Sequence, residues 1–219
     1  MKKNFLKSVL GSLAFALLVV SCGKDKPLQS EVNEVATTAN GTTYVLDTLN
    51  SRLEWKGYKV FKSENTSHFG TIKFESGEVT VHEGQLESGK FVADLHSLEN
   101  EDLKGDEEQK GKLEGHLKSG DFFEVEKFPT ASYEITKVTP QAQGDYNTLI
   151  DGNLTMKGIT KPVQFKANVS VEGNEVSINS EPTDIPREDF GVKFQVPAAN
   201  GIIKNEVTVQ MMVKAMQKV

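Results

Sequence analysis

Histidines are the first place to look for chemistry, because imidazole binds metals and moves protons near neutral pH. They stand at His68, His82, His96 and His116. No two are spaced as HxH or HxxxH, so a metal site would need ligands from separate strands. His82 and His96 lie in polar strand or turn contexts and read as solvent-exposed. His68, in "TSHFGTIKF", is flanked by strand formers and has two readings: a hydrogen-bonded structural role, or a place near a ligand. Arg187, in "DIPREDFGVKF", also has two: a partner for a nearby acid at a corner, or a contact for an anionic head group. With 31 acidic residues, paired carboxylates arise too easily to signal catalysis. The sequence contains no GxSxG, P-loop or dinucleotide fingerprint. The expectation is a protein that is not an enzyme and holds no metal or cofactor.

The other unusual stretch is "GDFFEVEKFPTASYEI", residues 120–135. It puts Phe122, Phe123 and Phe128, three of the chain's twelve phenylalanines, into seven residues. Pro129 forbids a helix there, and a clean alternation begins just after it. Such a cluster either plugs a core where a helix hands over to a strand, or lines a place where something apolar binds.

The elements that must hold these groups lie well beyond the N-terminus. Residues 1–21 read as a lipoprotein signal peptide. Val9–Val20 is a 12-residue apolar run behind Lys2, Lys3 and Lys7. That is the length of a secretory hydrophobic region and too short to span a bilayer. It ends in "VVSCG", which resembles a bacterial lipobox, so Cys22 is expected to become the acylated first residue of the mature chain. The expected location is the bacterial cell envelope, lipid-anchored, in the outer membrane facing the periplasm or the cell surface. Cys22 is the only cysteine. Its acylation leaves no thiolate catalysis, zinc–thiolate site or disulfide.

Loss of Lys2, Lys3 and Lys7 takes the formal net charge from −6 to −9. A surface so acidic repels phosphate backbones, and nucleic acid is not an expected partner. Residues 22–42 are polar and aperiodic. They read as a flexible tether reaching about 25 Å as a coil and about 70 Å fully extended. The folded domain, 43–219, is long enough for a core of its own.

Within it, period-two patterns dominate. "PVQFKANVSV" sets Val163, Phe165, Ala167, Val169 and Val171 on one face. "EVTVQMMVKA" does the same for Val207, Val209, Met211, Val213 and Ala215. "GKFVADL" aligns Phe91, Ala93 and Leu95, and "LIDGNLTM" aligns Ile150, Gly152, Leu154 and Met156. Weaker alternation runs through "SRLEWKGY", "FGTIKFE", "GEVTVHE", "TASYEITKV" and "EVSINSE". "ESGE", "HEGQ", "TPQAQGD", "MKGITKP" and "VEGNE" read as turns. Many short strands at near-regular spacing predict a sandwich or a barrel. Residues 100–120 predict one poor helix, weakened by Gly105, Gly111 and Gly115 and ending at Gly120. "PRED" predicts a short helical turn.

In this order the pieces resemble the YceI-like, or polyisoprenoid-binding, family over roughly residues 44–216. "YVLDTLNSRLEWKGYKV" resembles its opening strand pair, and "TSHFGTIKFESGEVTV" its histidine-glycine strand. "GKFVADLHSLE" resembles its strand ending in serine. "HLKSGDFFEVEKFPTASYEIT", "GNLTMKGITKPVQF" and "REDFGVKF" carry the most specific resemblance. The segment "ENEDLKGDEEQKGKLEGHL" departs from the family by its extra acid and glycine. The resemblance implies an all-β fold: an extended, antiparallel, lipocalin-like barrel of about eight strands, with one short helix and a helical turn. It implies a tunnel holding a long-chain isoprenoid or similar amphipathic lipid, such as a quinone or a fatty amide, bound non-covalently. Phe74, Phe91, Phe122, Phe123, Tyr133, Met156, Phe165 and Phe194 are the candidate lining, with His68 and Arg187 as candidate head-group contacts. The rival expectation is a structural or stress-responsive envelope protein whose barrel is filled by its own side chains. The oligomeric state, a dimer among the options, stays open, as does the identity of the lipid.

Overall fold

The computed structural model describes residues 32–62 and 64–218. The expected signal peptide and Cys22 lie outside the described residues. Eleven strand segments form one antiparallel sheet: β1 (Thr42–Leu46), β2 (Arg52–Phe61), β3 (Glu64–His82), β4 (Gln85–Asp94), β5 (Glu99–Asn100), β6 (Thr130–Pro140), β7 (Thr148–Met156), β8 (Ile159–Glu172), β9 (Glu175–Ser180), β10 (Thr183–Pro186) and β11 (Ile202–Gln217). Eight of them close into a ring in the order β2, β3, β4, β6, β7, β8, β9, β11. The short strands extend their neighbours' slots. β1 fills the place between β3 and β11 that β2 leaves, and β10 continues along β11 beyond β9. Of the sandwich and the barrel that the alternation left open, the chain forms the antiparallel barrel that the resemblance implied.

Tight turns set the register. Glu83 and Gly84 between β3 and β4, and Lys157 and Gly158 between β7 and β8, all have positive φ. Two successive left-handed residues match the twist of a hairpin, and glycine supplies one of each pair without a Cβ penalty. "ESGE", expected to be a turn, is not one. Residues 75–78 run inside β3, which is continuous for 19 residues, and the register shifts there between Phe74 and Ser76. The glycine and small serine make a bulge, which bends the strand without ending it.

Among the described residues one α-helix forms, α1, Glu107–Lys118, shorter than the 100–120 expected. Asp106 caps it, its side chain accepting from the Gln109 amide, and Ser119 ends it. Gly120 is not among the residues with positive φ, so the expected glycine cap is absent. The left-handed residue comes later, at Glu124. There the chain turns through hydrogen bonds from Phe123 N–H to Leu117 O and from Val125 N–H to Lys118 O. The "PRED" turn forms as a 3-10 turn over Arg187–Phe190, closed by Gly191 at φ 77°.

The described part of the expected tether does not hang free. The Asn153 side chain clamps the backbone of Asn33, accepting its N–H at 3.2 Å and donating to its carbonyl at 2.7 Å. Ala36 N–H donates to Ile135 O, and Thr38 meets Ser88. Residues 33–38 form a strap across β7, β6 and β4, and Asn153 is nearly fully buried beneath it.

Candidate functional site

The barrel is packed in one half and hollow in the other. In the packed half Leu46, Val79, Leu86, Ile135, Ile150, Ala167, Val176, Ile178, Val213 and Ala215 are all buried. The other half encloses a cavity of about 330 Å³. The alternating faces of β2, β3, β4, β6, β7, β8 and β11 supply its walls: Leu53, Trp55, Ile72, Phe74, Phe91, Leu154, Met156, Phe165, Val207, Val209 and Met211.

Between the two halves lies an aromatic floor. Tyr133 and Phe165 pack edge to face with centroids 5.2 Å apart, and Phe74 and Phe91 lie 6.0 Å apart. The single Tyr133 hydroxyl proton is shared between Ile150 O at 2.9 Å and Val163 O at 3.0 Å. Burial, with the nearby Asp151 charge, raises its pKa far above that of free tyrosine. It is a neutral hydrogen-bonding group and no proton shuttle.

A helix and an aromatic trio cover one end. Leu113, His116 and Leu117 of α1 reach the cavity, with Phe122 and Phe123 just beyond. His116 packs edge to face on Phe122 and Phe194, with centroids 5.1 and 4.7 Å away. Lys157 Nζ ties this turn to the β7–β8 hairpin by donating to Phe122 O at 2.7 Å.

All eight aromatic and methionine candidates border this one cavity, as do His68 and Arg187. Phe128, third of the clustered phenylalanines, does not. It sits half-buried over Gly158, with Lys127 Nζ 4.9 Å from its ring.

His68 and Arg187 are both engaged by the protein. His68 Nδ1 lies 2.8 Å from Asp102 Oδ2, and Asp102 Oδ1 accepts the Phe69 N–H at 2.9 Å. Asn100, fully buried, donates to Phe69 O and to Asp102, while its N–H donates to Glu114 of α1. This network fastens the helix to β3. Burial alone would raise the Asp102 pKa, but the bonds from Phe69, His68 and Asn100 outweigh it and hold the carboxyl below its usual range. Arg187, 3% exposed, donates to the carbonyls of Lys204, Val192 and Ile203. Its main partners are backbone carbonyls, with Glu188 3.7 Å away, in place of the expected acid alone. Burial lowers its pKa, and Glu188 partly offsets that. His82 faces Glu87 at 3.3 Å with 41% of its side chain exposed, and His96 is exposed.

Two features of the wall escaped the sequence reading. Trp55 lines the cavity, and its indole N–H is buried without a hydrogen-bond partner. Gly57 lies two residues on, and nothing stands within 4 Å of where a Cβ would be. The signal for both was the alternation Leu53, Trp55, Gly57 in "RLEWKGY", a glycine where the inward face called for a side chain. Among the described residues no three His, Cys, Asp or Glu side chains gather as a metal site would require. A mostly apolar pocket with a few polar groups among its lining suits a hydrophobic ligand.

Known proteins agree with this architecture. The chain is 28% identical to the "UPF0312 protein" of Shewanella denitrificans, over 96% of this chain and 98% of that one. It is 30% identical to a protein of the same designation from Pseudomonas putida, over 65% of this chain and 76% of the relative. Among solved structures it is similar to BcnA of Burkholderia cenocepacia, with TM-score 0.62 and 20% identity over 78% of this chain and 99% of that one. It is also similar to a polyisoprenoid binding domain from Saccharophagus degradans, with TM-score 0.55 and 15% identity over 81% of this chain and 99% of that one. Those two likenesses fix the fold. Because the YceI-like domain pattern matches residues 44–215, nearly the whole barrel, the chain belongs to the YceI-like family.

Proposed function

We propose that this protein is a lipid-binding component of the bacterial cell envelope, holding a long-chain isoprenoid or similar amphipathic lipid in the hollow half of its barrel. One observation carries the reading: half of the barrel is packed solid, while the other half keeps an apolar cavity of about 330 Å³. That is the lower end of the range of small-molecule pockets, about 300–1,000 Å³, and suits one slim chain. Each Å² of apolar surface that the chain withdraws from water contributes about 25 cal/mol, so affinity needs no catalytic group. A polyisoprenoid binding domain among the structural relatives supports the same ligand class. The eight candidate residues would contact the chain, and His68 would stand near its polar end. Arg187, held by three backbone carbonyls, would shape the wall. The envelope location follows from the apolar leader and Cys22, through which the protein would be anchored to a membrane. The rival reading, a barrel filled by its own side chains, suits only the packed half.

Gly57 supplies the test. Phe at this position would project into the cavity without meeting another atom near its Cβ, and glycine in a strand interior costs about 0.5–1 kcal/mol relative to alanine. Gly57→Phe should therefore fold normally and carry less lipid. Native mass spectrometry of gently purified wild type should show a bound lipid that the variant lacks at unchanged Tm. A wild type without lipid, or a variant with equal lipid, would remove the proposal.

A further inference from the structure

The rim of the cavity carries features that a pocket for an apolar chain does not need. Residues 196–203, "VPAANGII", are uncharged in a chain that is 26% charged. Pro197, Ala198 and Ala199 are exposed, and Ile202 is 62% exposed. Gly201 packs against Val60 and Phe61 at the tip of β2, where Phe61 is 39% exposed. Ile202 pairs with Val60, and Ile203 with Lys59. Ile203, Lys59 and Lys204 also line the cavity. The apolar rim therefore borders the cavity directly.

Four lysines surround it. Lys56 Nζ and Lys204 Nζ both lie 5.4 Å from the centroid of the Tyr58 ring. Lys62 Nζ lies 5.3 Å from that of Phe61, and Lys59 stands between them in sequence. Lys90 and Lys166 elsewhere on the barrel pair with Glu134 and Glu181. Among the described residues no carboxylate lies within ion-pair distance of these four. Glu64 is the one acid between Tyr58 and Ser67. Against Glu64 on β3 and Glu206 two residues after Lys204, these four lysines leave net positive charge around one patch of exposed apolar side chains.

We infer that this rim is a docking surface for an anionic bilayer. Phe61 and Ile202 enter the interface, and Lys56, Lys59, Lys62 and Lys204 meet lipid phosphates. Apolar side chains flanked by lysines are the pattern of interfacial binding. The inference rests on the lipid-binding reading and adds a route: a hydrophobic chain would pass between bilayer and barrel without crossing water.

The test uses the full-length protein as purified from cells, bound to vesicles of phosphatidylethanolamine and brominated phosphatidylglycerol. The single native tryptophan, Trp55, gives the baseline quenching. Ile202→Trp should add strong quenching, and Met216→Trp, far along β11, should add none. Salt at about 0.5 M, where the Debye length falls to roughly 4 Å, should abolish the added quenching. Charge reversal by Lys62→Glu with Lys204→Glu should do the same. No added quenching at 202, equal quenching at 202 and 216, or indifference to charge reversal would overturn the inference. Lipid extracted from the same preparation reads the cavity separately. Quenching at 202 without extractable lipid supports the rim and removes the cavity reading, whereas extractable lipid without quenching at 202 overturns the rim alone.

Discussion

The ring of Tyr133 occupies the space that a side chain at Gly152 would need. A Cβ at Gly152 would meet the Tyr133 ring and hydroxyl well inside van der Waals contact. The two residues come from neighbouring strands, and together they build the cavity floor. Gly152→Val should push the ring off its two carbonyl acceptors and cost about 1–3 kcal/mol, as overpacking does. Tyr133→Phe keeps the ring and should cost about 1–3 kcal/mol for the lost bonds. Urea denaturation measures both. A Gly152→Val protein as stable as wild type would mean that the ring is free to move.

Phe123 and Phe128 should separate ligand binding from stability. Phe123 is half-buried on the cavity wall, and Phe128 packs outside it over Gly158. After delipidation, Phe123→Ala should melt close to wild type but gain less on reloading with a long-chain isoprenoid. Ligand that binds only the folded state raises stability by mass action. Phe128→Ala should leave the ligand-induced rise in Tm intact. Equal loss of that rise in both variants would refute the distinction.

Acid should loosen the helix. The folded Asp102 carboxyl titrates below its unfolded value, with burial opposing and three hydrogen bonds prevailing. A depressed pKa gives stability that is present above the unfolded value, near 3.9, and is lost as pH falls through the folded one. Wild type should therefore exceed Asp102→Asn in stability at pH 6 and approach it below about pH 4. Denaturant melts across that range decide it, and a gap that stays constant with pH would exclude Asp102 as the cause.

Cys22→Ser tests the anchor. Each buried methylene of an acyl chain adds about 0.8 kcal/mol to membrane binding, so two or three chains anchor firmly. The variant should appear in the soluble fraction or as an unprocessed precursor. A processed variant that still sediments with membranes would refute acylation at Cys22.

Much of the barrel was legible because one face of each strand is buried. Phe91, Ala93 and Leu95 share a face in "GKFVADL", and all three are buried. Phe165 and Ala167 follow the same rule, as do Met211, Val213 and Ala215. What stayed hidden depends on distance across the barrel. Nothing near Gly57 in sequence says that the facing side chains stop short of it. "ESGE" has turn composition, and only the pairing with β4 makes it a bulge. Asn153 looked like an ordinary strand residue until the strap, 120 positions earlier, was found against it.

The closing strand has a consequence for biosynthesis. β11 comes last in chain order among the described strands, and it pairs with β1, β2, β9 and β10. Until it emerges, β2 and β9 are open edges, and the apolar half-barrel faces water. Contacts this distant in sequence also form slowly. The barrel therefore cannot close before β11 has been made, and a product stopped before residue 202 is an aggregation hazard.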